Sequence, residues 1–246
     1  GWVSRDVHVP GLPEVSEDAC YRAMDWLLQV EPTLARNVYD SVADLYNLEV
    51  DLLFFDTTST HFQIEQADAP VPRDEHGDRV GNPDDAAGEV GFRTWGKSKD
   101  HRDDLPQVVI GMAVPRSGIP VRVWSWPGNT TDTALIRQVK TELRDWTLGK
   151  VVWVADRGFT SAANRRALAA GAGGYILGEK LRSGSAEATA ALSRPGRYAT
   201  VAENLRVKEV RISETERFIV CHNPEAADRD AAIRADMVDK LRELID

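Results

Sequence analysis

The chain has 246 residues, room for one substantial domain or for a domain with a smaller helical unit, and a formal net charge of −9, which argues against a uniformly basic nucleic-acid-binding surface. Its two cysteines, Cys20 and Cys221, stand apart from each other and from any histidine cluster, so neither a disulfide framework nor a structural zinc site is expected. No apolar run reaches the roughly 18–20 residues that span a bilayer, and no signal-peptide pattern opens the chain, so a soluble cytoplasmic protein is expected.

Residues 14–50 read as helical. Ala19, Met24, Trp26, Leu27, Leu28 and Val30 form one apolar group, and Pro32 is expected to interrupt the pattern. Leu34, Val38, Val42, Leu45 and Leu48 recur at spacings of three and four and predict a second, amphipathic helix. No helix-turn-helix pattern stands out, which favours a packing role for this N-terminal segment.

Leu52-Leu53-Phe54-Phe55 is a short continuous apolar run, the pattern of a strand buried on both faces and ending at Asp56. His61-Phe62-Gln63-Ile64 alternates and predicts a second strand. From 66 to 91 the chain is acidic, carries Pro and Gly and lacks apolar periodicity, so a mobile loop is expected. Basic residues follow it directly: Arg93, Lys97, Lys99, His101 and Arg102, interleaved with Phe92 and Trp95. The negative total is thus concentrated in one stretch, and a local cationic surface is compatible with it.

Strands are predicted at 107–114 and 121–126 around the turn sequence Pro115-Arg116-Ser117-Gly118. Thr131 or Asp132 then caps a helix through Leu135, Ile136, Val139, Leu143 and Trp146, and Asn129 and Asp132 are read as structural. Val151-Val152-Trp153-Val154-Ala155 is another buried-type strand, ending at Asp156. A helix over 162–170 closes at Gly171, and Gly174-Tyr175-Ile176-Leu177 is a strand. Residues 207–212 and 218–221 suggest a hairpin, and Pro224 opens a last helix through Ile233, Met237, Leu241 and Leu244. The order predicts a mixed sheet with helices, an α/β layered domain. The expected division is an N-terminal helical segment, 1–50, and a catalytic core, 51–246.

Two strands of matching character each end in an aspartate, Asp56 and Asp156. As neighbours they would bring two carboxylates to one sheet edge, where mutual repulsion favours a divalent cation. Hard oxygen donors suit Mg²⁺ or Mn²⁺, which retain waters and phosphate oxygens, and a pair of such ions supports in-line phosphoryl transfer. The plainer alternative is that each aspartate is a turn residue or helix cap. Lys97, Lys99, His101 and Arg102 are candidate phosphate contacts or a solvated loop face. Arg157 is read either as a bidentate phosphate ligand or as a partner of Asp156. Trp124, Trp126 and Trp153 are expected in the core.

LLFFDTTSTHF, GKSKDHRDDLPQVVIGMAV, GIPVRVWSWPGNTTDTALI, VVWVADRGFTSAANRRAL and GGYILGEKLR, in this order, resemble the IS4-superfamily transposases, especially the IS1634-like group. The resemblance covers roughly Asp51 to the C-terminus. It implies an RNase H-like fold with the start of a β-rich insertion, and a DDE triad holding two Mg²⁺ or Mn²⁺ ions that cuts and rejoins double-stranded DNA. A homodimer assembled on transposon ends, nucleoid-associated, is the corresponding expectation. The first two aspartates of the triad fall on Asp56 and Asp156, the latter followed by Arg157-Gly158-Phe159.

The third carboxylate of that family, a glutamate four residues after an arginine, has no counterpart, because no Arg in the chain precedes a Glu at that spacing. Glu179 and Glu225 are the nearest substitutes, and the chain reads as truncated before the missing glutamate. An inactive fragment that binds DNA or a full-length partner is therefore the alternative. Phe54-Phe55-Asp56-Thr57-Thr58-Ser59-Thr60 also has the outline of a haloacid-dehalogenase-type phosphohydrolase with Asp56 as nucleophile. Asp156-Arg157-Gly158-Phe159 does not supply that class's downstream acidic motif.

Overall fold

The computed structural model describes residues 10–11, 15–46, 50–70, 91–146, 148, 150–171, 173–181 and 184–245. The chain divides into two compact units, Gly1–Gly178 and Glu179–Asp246.

The first unit is built on a five-stranded mixed sheet of β1 (Leu52–His61), β2 (Gln107–Pro115), β3 (Arg122–Pro127), β4 (Val152–Ala155) and β5 (Gly174–Leu177), in the order β3-β2-β1-β4-β5. β1, β2 and β3 pair antiparallel, whereas β4 lies parallel to β1 and β5 parallel to β4. α1 (Glu17–Tyr46), α2 (Asp132–Glu142) and α3 (Ala162–Ala169) supply its helices. This is the mixed α/β sheet with helices expected for an RNase H-like fold.

β1 alternates strictly. Leu53, Phe55, Thr57 and Ser59 are buried, and Phe54, Asp56, Thr58 and Thr60 are exposed. The expectation of burial on both faces is therefore corrected: Phe54 is 43% exposed, on the face of β1 opposite the buried Leu53 and Phe55. Leu53 and Phe55 meet Trp124, Trp126, Leu135, Ile136, Val139, Trp153, Phe159 and Leu168 in one core, and Tyr39 of α1 joins it. The three strand tryptophans are core residues, as their pattern indicated.

The strand expected at 52–55 is longer than its apolar run, and of the second strand expected at 61–64 only His61 is in a strand, as the last residue of β1. β1 runs unbroken to His61, since β2 pairs with it from Leu53 through His61 and the hydroxyl residues supply alternating small packers. The break expected at Pro32 does not occur either, and α1 continues through it. Pro32 is exposed, so the carbonyl its missing N–H would have served can be hydrated, and Ala35, Tyr39 and Ala43 beyond it are held against the core.

α2 begins at Asp132 after Thr131, which makes no side-chain cap bond, and tightens into a 3-10 turn at Leu143–Asp145. α3 is capped by Ser161, whose Oγ accepts from Asn164 N at 3.2 Å. Its C-terminal carbonyls on Ala167, Leu168 and Ala170 all accept from the ammonium of Lys140, at 2.6, 3.0 and 2.7 Å.

The second unit holds a three-stranded antiparallel sheet of β6 (Ala199–Ala202), β7 (Leu205–Arg211) and β8 (Arg217–His222) with α4 (Ala186–Ser193) and α5 (Pro224–Glu243). The β7–β8 pair is the expected hairpin. Lys208 is buried under Tyr198, its ammonium 5.5 Å from the ring centre and donating to Arg194 O at 2.7 Å.

Of the expected acidic loop, 71–90 lies outside the described residues, as does Leu48. Asp68 within it is firmly placed: Arg93 grips both its oxygens through Nε and Nη2, at 2.6–3.0 Å, and donates its backbone N–H as well. Among the described residues no helix is long and apolar enough to cross a membrane.

Candidate active site

β1 and β4 are in parallel register, with Leu53 opposite Trp153 and Phe55 opposite Ala155. The next residue on each is an aspartate. Asp56 and Asp156 therefore emerge side by side on strands about 4.8 Å apart. They belong to the same parity of the pleat, opposite to the buried Phe55 and Ala155, and both are exposed.

Their backbones differ. Asp156 lies just past the end of β4, and its Oδ1 accepts from Gly158 N at 2.7 Å, starting a 3-10 turn over Arg157–Phe159. Asp56 sits in the middle of β1, not at its end, opposite Met112 of β2, and its Oδ1 accepts from Thr57 N at 2.7 Å. On the β4 side β1 projects past its partner, so the Asp56 carboxylate still faces open space.

A third carboxylate joins them. Thr57, facing the helix layer, donates its hydroxyl to Asp132 Oδ1 at 2.6 Å. Gly158 lies between the second and third: a Cβ added there would stand 2.9 Å from Asp156 Oδ1 and 3.1 Å from Asp132 Oδ2. Only glycine lets the turn come so close to both. Asp132 is thus part of the cluster and not the side-chain cap expected of it. The signal available in the sequence was its position at a helix start within GNTTD, a segment that accompanies the two aspartate motifs.

The candidate DNA-contact residues separate by surroundings. Residues 95–106 run beside β1, tied to it where Lys99 N donates to Ser59 Oγ at 3.0 Å. The Lys99 ammonium donates to Thr57 O and, at 2.9 Å, to Thr57 Oγ1. It stands 3.7 Å from Asp56 Oδ1 and 3.9 Å from Asp132 Oδ2. Arg102 is spent on Asp104 in a two-bond fork at 2.8 and 2.9 Å. Lys97 and His101 are exposed, the latter with a φ of 58° in the left-handed region. Arg157 is exposed beside Asp156 and forms no ion pair with it or with any other described carboxylate. Glu179 and Glu225 fall in the second unit.

Among the described residues no three His, Cys, Asp or Glu side chains converge into a ready-made metal cage. The donor set nonetheless fits a hard ion of the Mg²⁺ class, which takes one or two carboxylates and completes its shell with waters and phosphate oxygens. Asp56 and Asp156 are the residues that would hold it. Thr58 and Thr60 follow Asp56 within the same strand, exposed on its face, and form no loop around it. That arrangement offers no cradle for a phosphoaspartate.

No family model matches the chain, and no curated protein does. Among solved structures it is similar to the piggyBac transposase synaptic complex with hairpin DNA, at 15% identity and a TM-score of 0.39, over 89% of this chain and 46% of that one. It is also similar to the Mos1 transposase paired-end complex with left transposon end, at 12% identity and a TM-score of 0.31, over 71% and 48%. The chain spans about half the length of the solved chains it matches.

Proposed function

We propose that this chain belongs to a DDE-type DNA transposase of IS4-superfamily character, in which Asp56 and Asp156 hold divalent metal for cutting and joining DNA strands. The observation that carries the reading is the register of β1 and β4, which sets the two aspartates next to each other on one open face. The five ordered motifs of the sequence, with Arg157-Gly158-Phe159 after the second aspartate, support the particular family.

Bound at these carboxylates, Mg²⁺ or Mn²⁺ supplies charge neutralisation and an activated oxygen nucleophile. The chain's own contribution is placement. Asp56 is fixed by the Thr57 N–H and Asp156 by the Gly158 N–H, so each carboxylate keeps one oxygen oriented and the other open. Arg157, free of described carboxylate partners, is positioned to take a phosphate by its planar fork, and Lys97 extends the positive surface. DNA as partner and assembly as a dimer on transposon ends belong to the same proposal.

Nicking of supercoiled plasmid in Mn²⁺ tests it, with Asp56→Asn and Asp156→Asn beside the unaltered chain. Nicking lost in both variants supports the reading, and nicking retained in either overturns the site. If every version fails, the inactive DNA-binding fragment becomes the better description, since the family's third glutamate has no counterpart here.

A further inference from the structure

The Lys99 ammonium is placed among oxygens. Two belong to Thr57, its carbonyl and its hydroxyl, and two to the carboxylates of Asp56 and Asp132, at 3.7 and 3.9 Å. An ammonium has three donors, and Thr57 takes two, which leaves one directed toward the carboxylates. The loop carrying Lys99 is itself pinned to β1 through Ser59 and braced by Asp103, whose Oδ1 accepts from Ser98 N at 2.6 Å. The backbone is therefore fixed, while the side chain, a flexible four-carbon stem with its ammonium, stays 42% exposed.

This cation sits against the same Asp56 carboxylate that a divalent ion needs. With both present, a charge of +1 and a charge of +2 would lie within a few Å of each other in a partly hydrated site. Their repulsion there opposes ion binding by a factor on the order of ten, even at a dielectric near that of water. We propose that Lys99 is the resident counter-ion of the carboxylate site: it neutralises Asp56 before metal arrives, and metal loading displaces it from Asp56. Asp132 and Thr57 are positioning residues that hold it ready, and the released ammonium remains on the face where a DNA phosphate would lie. The proposal rests on the metal reading of Asp56 and Asp156.

The test is Mn²⁺ affinity measured from the electron paramagnetic resonance signal of free Mn²⁺, without DNA. Lys99→Met and Lys99→Gln are compared with the unaltered chain, the glutamine keeping a hydrogen bond to Thr57 should the methionine variant fold poorly. Lys150→Met, a lost charge just ahead of the opposite end of β4, controls for net charge, and Asp156→Asn tests the underlying site. Expected is about tenfold tighter binding in both Lys99 variants, no such gain in Lys150→Met, and weakened binding in Asp156→Asn. Lys99 variants that bind as the unaltered chain does, or more weakly, while Asp156→Asn is weakened, overturn the role of Lys99 and leave the metal site standing. Asp156→Asn binding as tightly as the unaltered chain overturns the metal site, and the counter-ion proposal with it.

Discussion

Thr57 donates its hydroxyl to Asp132 at 2.6 Å, joining the middle of β1 to the first residue of α2 across 75 positions of sequence. The bond fixes where the helix layer begins relative to the strand that carries Asp56. It also gives the Asp132 carboxylate a short, directed partner on the buried side of the sheet. Replacing Thr57 by Val keeps the shape but removes this donor and an acceptor for Lys99. The expected cost is about 1–2 kcal/mol in unfolding free energy, read from denaturant midpoints at unchanged slope. A variant as stable as the original would show that the hydroxyl contributes nothing to this junction.

Gly158 predicts a separation of stability from site integrity. Its backbone is not in the left-handed region, so alanine is tolerated there conformationally. The added methyl, however, meets Asp156 Oδ1 at 2.9 Å and Asp132 Oδ2 at 3.1 Å, so those carboxylates must turn away. Gly158→Ala is expected to melt close to the unaltered chain and to bind Mn²⁺ about tenfold more weakly, a loss of about 1.4 kcal/mol. Unchanged Mn²⁺ affinity would mean that the orientation of these oxygens is immaterial.

Lys140 closes the C-terminal end of α3 with three carbonyl contacts, and burial holds its ammonium below the usual lysine range. Lys140→Met leaves those carbonyls to water and removes a cation from the negative end of the helix dipole. A loss of about 1–2 kcal/mol is expected, measured by urea unfolding. Because the folded pKa is lowered, the native state releases this proton first. The contribution of Lys140 to stability should therefore improve as pH rises from the folded value toward about 10.4, the unfolded one. A difference between the two proteins that does not change over that alkaline window would contradict the assignment.

Asp68 anchors the near side of the acidic stretch. The hydrogen bond from the Arg93 side chain, the largest cause, holds its carboxyl below the ordinary aspartate range. A depressed folded pKa contributes stability that is fully present above the unfolded value, about 3.9, and is lost as pH falls through the lowered one. Asp68→Asn should therefore be less stable than the original at neutral pH and converge with it in acid. Deleting 71–90 while keeping Asp68 should preserve cooperative unfolding. Deleting from Gln66, which removes the anchor, should not be equally benign.

Much of the sheet was legible because its strands carry apolar runs with sharp polar ends, and the two aspartates follow those runs directly. What was lost was the parity of β1. LLFF looks doubly buried, yet Phe54 faces outward, and the hydroxyl residues Thr57 and Ser59 pack inward past the aspartate where the apolar run ends. Pro32 misleads because its unsatisfied carbonyl is at the surface, where a proline costs α1 less than its pattern implies. α4 and β6 escaped notice for want of pattern, the one being rich in small residues and the other exposed along its whole length. Asp132 read as a cap because a helix start is where caps belong. Its bond to Thr57 depends on a contact that no local rule anticipates.

The pairing of Asp56 with Asp156 is tested most directly by a double-mutant cycle on Mn²⁺ binding, followed calorimetrically in the unaltered chain, Asp56→Asn, Asp156→Asn and the double variant. One ion held by both carboxylates predicts that each single change costs nearly as much affinity as the two together. Two independent losses that simply add, or no loss in either single variant, would contradict a shared metal site.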